Sequence, residues 1–195
     1  MSNDMTQEDL DKTLLQVVKK GDLRKVRALL KKGARTEAVG GDGRRPLHHV
    51  AENGHLSVVK SLIEAGADID AADNADWRPL HFAAWNGHRE IAELLLEKGA
   101  KIDAVDEDDW QPLHSAAWAS RRSVVELLLE HGADPTARNK EGQTPGNRSL
   151  GDREISALLQ KAEQEWPGAQ TRKALAEHLA RQRKLGALRP RGPAL

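Results

Sequence analysis

The 195-residue sequence contains no cysteine, no tyrosine and a single phenylalanine. Without cysteine it has no disulfide framework, no thiolate zinc site and no cysteine nucleophile. No apolar run approaches the roughly 18 residues of a membrane span. The first residues, MSNDMTQEDLDKT, have neither the basic region nor the apolar run of a secretory signal. We therefore expect a soluble protein of the cytoplasm, with the nucleus as the alternative compartment.

Net charge is also absent, because 30 basic residues balance 30 acidic ones. The charges are nevertheless unevenly distributed. Residues 169–195 carry seven basic side chains against the single acidic Glu177, so the rest of the chain is acidic. This distribution predicts an acidic body with a basic C-terminal tail.

Several unrelated markers recur with a period of 33 residues. The markers are Pro46, Pro79, Pro112 and Pro145, and Gly33, Gly66, Gly99 and Gly132. A Leu-His pair follows each of the first three prolines. A shared period of this length indicates a repeat architecture in which one supersecondary unit is stacked several times.

Each unit is predicted to be a pair of short helices. Pro79 suits the first position of a helix, and Asn86-Gly87 suits its end. A second amphipathic helix is predicted from about Arg89 to Lys98, closed by Gly99. Such a pair cannot bury its apolar face alone, and it requires neighbouring units.

The repeated segments RPLHHVAENGH (45–55), RPLHFAAWNGH (78–88) and QPLHSAAWASR (111–121) resemble the ankyrin-repeat family. The resemblance implies an all-α solenoid of stacked helix pairs with short turns. The expected units are an N-terminal cap at 7–39, repeats at 40–72, 73–105 and 106–138, a degenerate C-terminal cap at 139–163, and a basic tail at 164–195.

The resemblance implies protein binding along a concave face, without catalysis and without a cofactor. We expect Trp77 and Trp110 to be neighbours at the turn tips, and Trp85 and Trp118 to be neighbours at the exposed ends of the first helices. Four exposed indoles would form an apolar patch typical of a binding surface. The alternative is that the indoles stack on one another and on arginines and only stabilise the array. The other residues predicted on this surface are Asn74, Asn86, Glu107 and Asp108.

An acidic cluster surrounds these tryptophans and favours a partner with Arg or Lys on its surface. The cluster comprises Asp73, Asp76, Asp103, Asp106, Glu107, Asp108 and Asp109. Its plainer interpretation is a solvated turn face. The tail, weakly helical from about 170 to 185, has three open interpretations: a solvated segment, a segment folded back on the acidic turns, or a contact with nucleic acid, membrane or an acidic partner.

Structural roles are expected for the recurring Pro, His and Gly residues, and no metal site is expected. By resemblance, the histidines order the turns through hydrogen bonds. The residues with expected structural roles are Pro46, Pro79, Pro112, His48, His81, His114, Gly66, Gly99 and Gly132.

The threonine that the family places before the proline is replaced by Arg45, Arg78 and Gln111. We expect either weaker capping of these helices or another role for the two arginines, such as ion pairs with Asp73 and Asp76.

Three functions remain open. The first is a non-catalytic protein-interaction module. The second is a stoichiometric inhibitor or regulatory subunit of an enzyme or transcription factor. The third is a nucleic-acid or membrane-surface accessory that acts through the tail.

Overall fold

A computed structural model of the chain describes residues 5–148 and 152–166, and within these ranges all regular secondary structure is helical. The helices are α1 (Gln7–Val18), α2 (Leu23–Lys31), α3 (Pro46–Asn53), α4 (Leu56–Glu64), α5 (Pro79–Asn86), α6 (Arg89–Glu97), α7 (Pro112–Trp118), α8 (Arg122–Glu130), α9 (Pro145–Arg148) and α10 (Arg153–Glu165). No helix in the described ranges has the length and apolar character needed to cross a membrane.

The helices form consecutive antiparallel pairs that stack in two rows. The first helices of the pairs (α1, α3, α5, α7, α9) pack on one another more closely than the second helices do. Small buried residues permit this close approach, including Ala83 and Ala84 in α5 and Ala116 and Ala117 in α7. The first helices therefore form the more tightly packed of the two rows. The predicted solenoid of stacked helix pairs is confirmed.

A continuous hydrophobic core runs through the stack from Leu10 to Leu159. Leu47, Leu80 and Leu113, which are 33 residues apart, are each at most 1% exposed. Burying a leucine side chain stabilises a fold by about 1.5–3 kcal/mol. Because these leucines belong to one cluster shared by all the pairs, stability depends on the neighbouring units.

Each of the first helices α3, α5 and α7 has a histidine at its third position that bonds to the amide of the residue before the helix, whereas that residue makes no side-chain capping bond. The Nδ1 atom of His48 accepts a hydrogen bond from the backbone N–H of Arg45 (3.0 Å), and His81 does the same for Arg78 (3.2 Å). His114 Nδ1 accepts from the amide of Gln111 at 3.2 Å. The residues that replace threonine provide no side-chain capping bond, so the expectation of weaker capping is confirmed, although the histidine bonds hold the amide before each helix.

The expected ion pairs of Arg45 and Arg78 with Asp73 and Asp76 are wrong. Arg45 pairs with Glu37 (3.1 Å) and Asp68 (3.9 Å), and the Arg78 guanidinium donates to the Asp70 carbonyl. The two arginines therefore reach the segments that follow the second helices, rather than the turn tips.

The first helices end in left-handed residues, and one of these is not glycine. Gly54 and Gly87 have φ values of 78° and 80°, and Ser120 at the equivalent position has a φ of 55°. A Cβ atom at Gly87 would also lie 2.8 Å from Arg121 Cδ. Glycine adopts this backbone conformation without the steric cost that Ser120 incurs.

Replacing Ser120 with glycine is therefore expected to raise the free energy of unfolding by about 0.5–1 kcal/mol, measured by urea denaturation. The reciprocal variant Gly87→Ser provides the control. Its free energy of unfolding is expected to fall by at least the same amount. A destabilised Ser120→Gly protein would contradict this interpretation.

The C-terminal unit contains α9 and α10, and residues 149–151 between them lie outside the described ranges. Its first helix, α9, has four residues, and α10 begins after Asp152, whose Oδ1 accepts from the amides of Glu154 and Ile155. Helix α10 ends at Glu165, immediately before the Trp-Pro-Gly segment at 166–168. The predicted tail helix at 170–185 lies outside the described residues.

Candidate partner-binding surface

The turns between repeats are built around buried carboxylates. Asp73 Oδ1 accepts hydrogen bonds from the amides of Ala75 and Trp77, both at 2.9 Å. Asp106 Oδ1 accepts in the same way from Asp108 (2.9 Å) and Trp110 (2.8 Å). Each turn is closed by a backbone bond between its first and last residues, such as Asp106 N–H to Trp110 O (3.1 Å). These carboxylates fix the backbone that carries Trp77 and Trp110.

Neighbouring turns are joined edge to edge by backbone hydrogen bonds. The amide of Asn74 donates to Asp42 O (3.3 Å), that of Glu107 to Ala75 O (3.2 Å) and that of Lys140 to Asp108 O (3.1 Å). Turn residues that are remote along the chain therefore form one continuous edge.

The recurring histidines form hydrogen bonds to backbone carbonyl groups in or beside the same turns. His81 Nε2 bonds to Trp110 O (3.0 Å), and His48 Nε2 bonds to Ala71 O (2.9 Å) and Trp77 O (3.2 Å). Because the Nδ1 atom of each ring accepts from an amide, Nε2 carries the hydrogen and donates to these carbonyls. Burial lowers the pKa of His81 to about 4 and also lowers the pKa of His48, which favours this neutral tautomer.

His114 completes this series, with Nε2 bonding to Gln143 O at 3.2 Å. The prolines occupy the first positions of α3, α5 and α7. The predicted structural glycines follow the second helices with positive φ values, at Gly66, Gly99 and Gly132.

The tryptophans form two edge-to-face pairs, each within one repeat. The ring centroids of Trp77 and Trp85 are 5.8 Å apart, and those of Trp110 and Trp118 are 5.9 Å apart. Each pair connects a turn to the first helix that follows it. We call these four residues the tryptophan strip.

The expectation of four exposed indoles is wrong. Trp118 is 45% exposed, whereas Trp77, Trp85 and Trp110 are half-buried. Trp77 packs on the hydrophobic core and on Phe82, with ring centroids 5.0 Å apart. The strip therefore has one well-exposed ring and three half-buried ones, and Trp77 also stabilises the array through its contact with the core.

The acidic cluster divides into buried and exposed members, so Asp73 and Asp106 belong neither to a solvated turn face nor to a charge available to a partner. Asp106 is 8% exposed, and the Asp73 side chain is 6% exposed. By contrast, Asp76, Glu107 and Asp108 are exposed at the turn tips. Asp103 is exposed as well, so the negative charge available to a partner lies in these four carboxylates.

The two asparagines predicted on this surface occupy different positions. Asn74 is exposed at a turn tip. Asn86 is half-buried at the end of α5, and its Nδ2 donates to Phe82 O at 2.9 Å. Asn74 therefore belongs to the accessible edge, whereas the Asn86 amide is engaged by its own helix.

Sequence reasoning missed Arg44, which lies at the first end of the same surface. Its guanidinium carbon is 4.3 Å from the Phe82 ring centroid. Its nitrogens pair with Glu52 (3.1 Å), Asp73 (3.4 Å) and Asp42 (3.6 Å). The available signal was the period, because Arg44 stands 33 residues before Trp77.

No cluster of three or more potential metal-ligating side chains occurs within residues 5–148 and 152–166. A cavity of about 370 Å³ lies on the second-helix side, lined by Lys60, Ile63, Glu64, Leu94 and Lys98. It does not include any residue of the tryptophan strip.

Comparison with protein families gives two matches. A model described as ankyrin repeats in three copies matches residues 14–106, and one described as ankyrin repeats in many copies matches residues 95–145. Neither describes an enzyme. No curated protein matches the chain.

Proposed function

Because this chain belongs to the ankyrin-repeat family, we propose that it binds a partner protein through the tryptophan strip and the exposed carboxylates beside it. Ankyrin repeats are in general protein–protein interaction modules. The observation that carries the proposal is the position of Trp118, a 45% exposed indole held against Trp110. Tryptophan is enriched among residues that dominate binding energy.

A rigid surface favours binding because little conformational entropy is lost on association. Here the turn backbones are fixed by Asp73 and Asp106, by the histidines beneath them and by the bonds between turns. The exposed Glu107 and Asp108 favour a partner with a basic surface.

Regulation of a partner's activity, such as stoichiometric inhibition, would use the same surface. It differs from simple scaffolding only in its effect on the partner. The accessory function through the basic tail rests on residues 167–195, which lie outside the described ranges.

The test is quantitative affinity capture from cell extract with the full chain and two matched variants. We expect the double variant Trp85→Ala/Trp118→Ala to lose specific partners by about tenfold or more, because it removes two strip anchors. Val39→Ala/Val105→Ala is the control, because these side chains are exposed apolar residues outside the strip.

Circular dichroism should show both variants folded. Partners retained equally by both variants would contradict the proposed surface. Once a partner is purified, a stoichiometric change in its activity would identify the regulatory form of the function.

A further inference from the structure

The surroundings of Arg44 show how this surface accommodates an arginine. The guanidinium lies over the Phe82 ring while carboxylates of Asp42, Glu52 and Asp73 surround it. A planar cation can combine stacking on an aromatic face with hydrogen bonds to carboxylates in its own plane, which an ammonium group cannot do. The chain thus contains its own example of guanidinium recognition at one end of the surface.

In the next two repeats, tryptophans replace the charged residues of this surface. The position of Arg44 is occupied by Trp77 and Trp110, and the position of Glu52 is occupied by Trp85 and Trp118. Cation and carboxylate are thus replaced by indoles, while Asp76, Glu107 and Asp108 supply exposed negative charge nearby. Aromatic faces beside carboxylates are the groups that bind a guanidinium supplied from outside.

The repeat spacing sets the distance between successive arginines of a partner. The turns are in register, as the bond from Glu107 N–H to Ala75 O shows, and packed helices lie about 8–10 Å apart. A polyproline II segment has three residues per turn and a rise of about 3.1 Å per residue, so every third side chain returns to one face after about 9 Å. Same-face residues of a β-strand recur at about 6.7 Å instead.

We propose that the partner segment is a polyproline II stretch with an arginine at every third position, each arginine lying against one tryptophan pair. This inference rests on the proposed function, since it specifies the ligand of the same surface. The first pair is Trp77 with Trp85, and the second is Trp110 with Trp118. Glu107 and Asp108 precede Trp110 in the same turn and supply exposed negative charge for the second position.

The test uses calorimetric titration of the full chain with blocked synthetic peptides. The probe contains three Arg-Pro-Pro units. A second peptide of the same composition has its arginines consecutive, and a third replaces each arginine with lysine. We expect the probe to bind at least about fivefold more tightly than either control, because only it combines the matching spacing with the planar cation.

Variants of the protein test whether the probe peptide binds at the tryptophan strip. Trp118→Ala and Glu107→Gln/Asp108→Asn are each expected to weaken it by about fivefold or more. Trp166→Phe and Glu64→Gln/Glu97→Gln are the controls, because these residues lie outside the tryptophan strip and its turns. Both control variants should bind the probe with unchanged affinity.

Equal affinity for the consecutive-arginine peptide would overturn the proposed spacing. Equal affinity of the Trp118→Ala protein for the probe would overturn the proposed location. Absence of probe binding would overturn the inference as well, whereas loss of captured partners in Trp85→Ala/Trp118→Ala would still support the proposed function.

Discussion

Replacing His81 with alanine is expected to lower the free energy of unfolding by about 2–4 kcal/mol. The ring is fully buried, accepts from the Arg78 amide and bonds to the Trp110 carbonyl. Its removal leaves both backbone groups without these partners, and each unsatisfied buried group costs about 1–3 kcal/mol. Urea unfolding followed by far-ultraviolet circular dichroism measures the change.

His55→Ala is the matched control for this variant. His55 is half-buried, and its Nε2 makes one bond, to the Lys19 carbonyl at 3.1 Å. A lost bond of this kind costs about 1 kcal/mol. Similar losses for the two variants would contradict the special position of His81 beneath the turns.

Lowering the pH from 7 to about 5 is expected to destabilise the protein by several kcal/mol. Burial lowers the pKa of His81 and of His49 to about 4, from 6.5 in the unfolded chain. The unfolded state therefore takes up protons first, so stability is lost as the pH falls below about 6.5 and until it reaches about 4. At pH 5 each histidine contributes on the order of 2 kcal/mol to this loss.

The variant His49→Phe separates the contribution of His49 to this pH dependence from those of the other buried histidines. Position 49 corresponds to Phe82 in the next repeat, and the His49 side chain is almost fully buried. Phenylalanine does not titrate, so we expect this variant to lose the His49 share of the stability change between pH 7 and 5, on the order of 2 kcal/mol, while His81 and His48, whose pKa values burial also lowers, keep theirs. Urea unfolding of both proteins across this range checks the prediction, and an unchanged pH dependence would show that His49 does not contribute.

Loss of stability below about pH 4 is caused by other groups, the carboxylates. The pKa of Asp11 is lowered by hydrogen bonds from Arg35 and Gln7, which outweigh its burial. Because its pKa in the unfolded chain is already near 3.8, its contribution to stability is lost only below about pH 4. The loss between pH 7 and 5 therefore reports on the histidines.

The repeat architecture could be predicted because its signals are local and recur in register. The same start and end signals recur in each repeat. They are the prolines at the first positions of α3, α5 and α7 and the glycines near the helix ends. Helix α6 spans Arg89–Glu97, within one residue of the predicted end. Backbone dihedral preferences act within a few residues, and a sequence displays them directly.

The binding surface could be predicted only in outline. The period placed Trp77, Trp85, Trp110 and Trp118 in the right repeats, but the ring contacts run from each turn to its own helix. Sequence reasoning also missed Arg44 and grouped Asp73 and Asp106 with the acidic cluster that faces a partner, whereas the structure buries both carboxylates in the turns.

The sequence alone determined that this protein is a stack of helix pairs, because the 33-residue period and the residues at helix ends are properties of the chain itself. Only the tertiary structure decided which charges are buried, which indole is exposed and which carboxylates Arg44 contacts. Those outcomes depend on side chains brought together from different repeats, and burial is a property of the assembled surface rather than of any one segment.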